Sequence, residues 1–120
     1  MEEIAGVLAD CATEGELYHR IGLSLGPGAG GEPPEQRGRW ALQRRLGDLR
    51  NALCENAKLR SYCDSANASD LTATAAAIAG GLIAVHFAGI NPILVACLIA
   101  RIGLRTICAE TWTKTPSPNA

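Results

Sequence analysis

Residues 71–100 hold no Asp, Glu, Lys or Arg, and this uncharged run is interrupted by Gly89-Ile90-Asn91-Pro92. A segment without charge has to leave water, so whatever fold the chain adopts must be built around it. Gly tolerates the left-handed backbone that ends a helix, Asn caps the next one, and Pro suits its first position. The run therefore reads as two apolar helices in a tight hairpin, over about 70–88 and 92–111. The first should begin with Ser69 as N-cap and Asp70 in its first turn. It is rich in alanine and carries Gly80-Gly81 near its middle; the second is apolar all round until Arg101 and Arg105.

The preceding residues supply partners of another kind. Ile4, Val7, Cys11, Tyr18, Ile21 and Leu25 recur at three- and four-residue spacings, with Glu14 interrupting the row, marking an amphipathic helix over about 2–23 with a weak point near Gly15. Gly26 to Pro34 is glycine- and proline-rich and reads as a loop. Leu42, Leu46, Leu49 and Leu53 then form a row at helical spacing, giving a second helix over about 35–62. Trp40 falls nearly opposite that row, as a fraying start or a contact for something else. The residues from Thr113 to Ala120, with Pro116 and Pro118, read as a disordered tail. The expected fold is all-α: one domain over 1–112, a four-helix bundle with the apolar hairpin, helices three and four, at its centre.

Charge is distributed by segment. Residues 1–36 carry seven acids and one base, residues 37–60 seven bases and two acids, and residues 61–120 three of each. The net charge of −1 excludes a polycation, and 48% apolar with 19% charged residues excludes disorder over most of the chain. Arg37, Arg39, Arg44, Arg45, Arg50, Lys58 and Arg60 invite a nucleic-acid reading, but the acidic first helix is the nearer partner for them. Nucleic acid is therefore not expected as a partner.

Signals for chemistry are thin. The five cysteines, Cys11, Cys54, Cys63, Cys97 and Cys108, show no Cys-x-x-Cys spacing, and their odd number and an acidic start favour reduced thiols in the cytoplasm. Cys97 and Cys108, eleven apart on one helical face, read as small core residues, with a regulatory or intersubunit disulfide as the sharper alternative. His19 and His86 have no ligand spacing around them, so no metal and no catalytic residue is assigned. The glycine-rich loop lacks a Gly-Lys-Ser/Thr ending and follows no strand, which argues against a phosphate site. No cofactor and no small-molecule substrate are inferred.

Two narrow amphipathic stripes do not suffice to cover a hairpin that is apolar on every side. The expected function is accordingly a non-enzymatic interaction or oligomerisation module, with another copy or a helical protein partner on the hairpin. Gly80, Gly81, Ala84 and Ala88 are the candidate close-contact positions, and Ile93, Val95, Leu98 and Ile99 the apolar anchors. The alternative cover is lipid, for a membrane-inserting or pore-forming protein or its antagonist. Each arm of the hairpin is about 27 Å long at about 1.5 Å per residue, close to a hydrocarbon core of about 30 Å. Asn91-Pro92, His86 and the two arginines count against a permanent span.

Overall fold

The computed structural model describes residues 2–25, 31–63, 70–85, 87 and 90–114, and among them the chain is all-helical, with eight helices and no strand. The helices are α1 (Glu2–Asp10), α2 (Glu14–Ser24), α3 (Pro34–Arg44), α4 (Leu46–Cys54), α5 (Ala57–Cys63), α6 (Leu71–Ala84), α7 (Pro92–Ile102) and α8 (Leu104–Lys114). The expectations placed on residues 26–30, 64–69, His86, Ala88, Gly89 and the tail beyond 114 fall outside the described residues.

The expected helix over 2–23 is two helices. Thr13 has an extended backbone (φ −127°, ψ 161°), and its Oγ1 accepts the Glu16 amide at 3.2 Å. The same hydroxyl donates to Glu16 Oε1 at 3.2 Å, so Thr13 and Glu16 form a cap that starts α2 at Glu14, one residue ahead of Gly15. The expected helix over 35–62 is three, broken at Arg45 and at Glu55-Asn56. Asn56 starts the last of them, its Oδ1 accepting the Leu59 amide at 3.2 Å. Of the leucine row, Leu42, Leu49 and Leu53 are buried and Leu46 is half-buried.

In the apolar run, Asp70 is the N-cap of α6 in place of Ser69, its Oδ1 accepting the Ala73 amide at 3.2 Å. The helix stops at Ala84, short of 88, because the Phe87 amide reaches back to the Leu82 carbonyl (3.0 Å) and closes the ladder. Asn91 caps α7 through an Oδ1 that accepts the Ile93 amide at 2.9 Å, with Pro92 at the first helical position. The expected helix over 92–111 bends by 76° at Gly103 and continues as α8 to Lys114. Gly103 has φ +105°, a backbone that side-chain-bearing residues rarely adopt. Replacing Gly103 by alanine should cost about 1–3 kcal/mol in urea unfolding; a variant as stable as the parent would mean that this residue does not hold the bend.

The expectation that one chain cannot bury its own hairpin is corrected for the second arm, while on the first Gly80 and Ile83 to Val85 stay exposed. Leu94 through Ile99, six consecutive residues, are all buried within the single chain. Because the first and last expected helices are each broken, α1, α2 and α8 can all lie against α7, and α6 packs on it as well. The expectation of reduced thiols is corrected too. Cys54 of α4 is disulfide-bonded to Cys108 of α8, with 5.3 Å between their Cα atoms. Cys11, Cys63 and Cys97 form no disulfide, and Cys97 and Cys108 are not joined to each other.

Candidate interaction surface

The structure describes seven of the eight candidate contact residues and does not bring them to one surface. Val95, Leu98 and Ile99 are fully buried in the chain's own core. As anchors for a partner they are therefore corrected: reaching them requires the core to open. Ile93 is half-buried beside Val7 and Leu94, in a cleft also lined by α2 residues, away from the other candidates. Gly80 and Ala84 are exposed on α6, while Gly81, next along the chain, faces inward. A Cβ on Gly81 would sit 3.0 Å from Leu59 Cδ1 and 3.5 Å from Asn56 Nδ2, whereas a Cβ on Gly80 would meet nothing within 4 Å. Ala88 is outside the described residues.

What Gly80 and Ala84 share is a groove between α5 and α6, about 630 Å³ in volume. Leu59 and Tyr62 form its α5 wall, Ala77 continues its α6 wall, and Lys58 stands at its edge as the charged lining residue. At the end of α6, Ile83 and Val85 are 56% and 52% exposed. Sequence reasoning overlooked these two, although Ile83 lies three residues from Gly80 and so on the same helical face. The small residues keep the α6 backbone accessible along this face, and Ile83 adds an exposed apolar side chain to it.

Three arginines, two on α3 and one on α7, are engaged by groups of the chain itself. Arg37 donates to the Glu32 carbonyl at 2.6 Å and to the Gly22 carbonyl at 3.4 Å, supplying a donor where α2 runs out of amides. Arg39 pairs with Glu35 at 3.0 Å and lies over the Tyr18 ring, 4.3 Å from its centroid. Arg101 donates to the Leu8 carbonyl at 2.9 Å, tying α7 to α1.

Burial pushes the Tyr18 phenol up, outweighing the lowering by Arg39, with Glu14 adding to the rise. Burial likewise pushes the Cys97 thiol up against the pull of Arg101, so it stays protonated and a poor nucleophile at neutral pH. His19 is exposed, and His86 lies outside the described residues. Among the described residues, no three His, Cys, Asp or Glu side chains gather where they could hold one metal ion. No single described helix is long and apolar enough to cross a membrane; α7 and α8 pass on length and composition only when taken together across their 76° bend. Comparison with protein-family models, with curated proteins and with solved structures finds no match to this chain.

Proposed function

We propose that the protein is a non-enzymatic helical interaction module that associates with a second copy of itself through the outer face of α6. The observation that carries this reading is the open α5–α6 groove, where Gly80 and Ala84 are exposed, with Ile83 and Val85 exposed outside it at the end of α6. Glycine and alanine on one helical face let a second helix approach closely, and the two β-branched side chains would leave water as it does. The groups used are small and apolar, which suits association and transfers no proton. A helical partner of another sequence is the variant of this reading in which the same face is filled by a different chain.

The architecture that goes with it is a four-part bundle, in which α1–α2, α3–α5 and α7–α8 each count as one broken rod. The hairpin of α6 and α7 is then its centre, supported by the packing of α7 against α1, α2, α6 and α8. The α7–α8 pair gives the lipid alternative its one specific support. Against it, Arg101 and Arg105 would lie near the middle of the straightened pair, where each charge costs about 2.5–3.5 kcal/mol. We therefore favour an aqueous protein over a membrane-inserting one. The cytoplasmic expectation rested on reduced thiols; the Cys54–Cys108 disulfide removes that ground and favours an oxidising compartment.

The test is mass by light scattering without detergent, on the parent chain and on Gly80→Leu. Gly80 is the informative position because a Cβ there meets nothing within 4 Å, whereas one at Gly81 would already press on Leu59 at 3.0 Å. The parent should run as a defined oligomer and Gly80→Leu as a monomer with unchanged circular dichroism. A parent that is monomeric at all concentrations, or an oligomer indifferent to the substitution, overturns self-association through α6. Aggregation that detergent cures would favour lipid.

A further inference from the structure

Trp40 belongs neither to the core nor to the α6 surface. It is 42% exposed on α3, whereas Leu42, Leu49 and Leu53 are buried. Beside it is a cavity of about 390 Å³, within the range of about 300–1,000 Å³ typical of small-molecule sites. Leu42, Ile102 and Ile107 give the cavity apolar walls, and Tyr18 contributes a second aromatic ring. Ile102 ends α7 and Ile107 lies in α8, so the bend at Gly103 brings both residues to one site.

The polar groups at this cavity are few and of a particular kind. Gln36 and Gln43 stand one turn to either side of Trp40, offering amide donors and acceptors. Arg39 is the one charged residue among those lining the cavity. Its guanidinium lies over the Tyr18 ring, 4.3 Å from the centroid, and is thereby held in place. Its acidic partner, Glu35, is four residues away on the same helix, and both side chains are about half exposed, at 52% and 45%. Such a surface pair is weak and readily exchanged for a better-placed anion.

We propose that this cavity binds a small, flat aromatic carboxylate. The ring would stack on Trp40 and fill the space against Leu42, Ile102 and Ile107, and the carboxylate would replace that of Glu35 on Arg39. A planar guanidinium matches a carboxylate with two parallel hydrogen bonds, so charge and ring select the ligand together. The site shares no residue with the α5–α6 groove, and it stands whether or not the chain self-associates.

The probe is 2-naphthoate, compared with its neutral isostere 2-naphthamide by titration calorimetry on the full chain. The parent should bind naphthoate saturably, one per chain, and the amide about tenfold more weakly, the effect of a lost charge-assisted contact worth about 1.4 kcal/mol. Arg39→Gln should bring naphthoate down to the level of the amide and leave the amide unchanged. Ile107→Trp, filling the cavity, should abolish both; should that variant not fold, Trp40→Ala, at an exposed ring, should weaken both alike. Absence of saturable binding by the parent overturns the proposal. So does an Arg39→Gln effect equal for acid and amide, or binding that survives a filled cavity.

Discussion

Replacing Cys54 and Cys108 together by alanine should cost about 4 kcal/mol of stability and lower the melting temperature by roughly 15 °C. The two cysteines are 54 residues apart in sequence, and a cross-link of that span removes much of the unfolded chain's freedom. The span encloses α5, α6 and α7, so the bond fixes α8 against α4 across most of the apolar core. Neighbouring contacts would survive the substitution: Trp112 Nε1 donates to the Cys54 carbonyl at 2.8 Å, and Arg60 donates to the Trp112 carbonyl at 3.1 Å. The loss should therefore appear as reduced stability of the same fold, with the circular dichroism of the folded state unchanged. Thiol titration in denaturant gives an independent check, expecting three free thiols before reduction and five after. Five thiols at the outset, or a loss below about 1 kcal/mol, would mean that the cross-link does not hold the native chain.

The all-helical class was legible because helical spacing and capping chemistry are local. Asn91-Pro92 reads as a helix start from two residues, and Asn91 Oδ1 meets the Ile93 amide at 2.9 Å. The helix breaks were legible only in part. Thr13-Glu14-Gly15-Glu16 carries the cap that starts α2, but the apolar spacing resumes in phase beyond Glu14 and suggests one helix with a weak point near Gly15. At Gly103 nothing local demands a bend, since a lone glycine is tolerated within a helix; α8 folding back on α4 imposes the positive φ. The pairing of Cys54 with Cys108 depends on that same fold-back, so no spacing rule could have selected it. The contact surface divides along the same line. Gly80 and Ala84 follow from the small-residue pattern, whereas the burial of Val95, Leu98 and Ile99 depends on which helices cover α7. Trp40 stood out in the sequence by lying off the leucine row, but the cavity beside it exists only once α7 and α8 are bent.

The other large effect is expected at a close crossing of helices. On α2 and α3, Gly22 lies against the backbone of Pro34 and Gly38 against the backbone of Tyr18. Residues 18 and 22 are one turn apart, as are 34 and 38, so each helix presents a glycine to the other's main chain. A Cβ on Gly22 would overlap the Pro34 carbonyl, and one on Gly38 the Tyr18 carbonyl. Neither obstacle is the far end of a flexible side chain. Both are backbone, and Arg37 holds the crossing by its bonds to the Gly22 and Glu32 carbonyls. Gly22→Ala and Gly38→Ala should each cost about 3 kcal/mol or more in urea unfolding, at the upper end of overpacking penalties. Gly6→Ala and Gly47→Ala supply the contrast, because a Cβ at either position meets nothing within 4 Å. Both lie in helices, where alanine is favoured over glycine by about 0.5–1 kcal/mol, so both should gain stability. If all four variants shifted stability alike, helix propensity alone would explain them and the close approach of α2 to α3 would be refuted. Opposite signs at Gly22 and Gly6 would establish that contact with the neighbouring backbone decides the outcome.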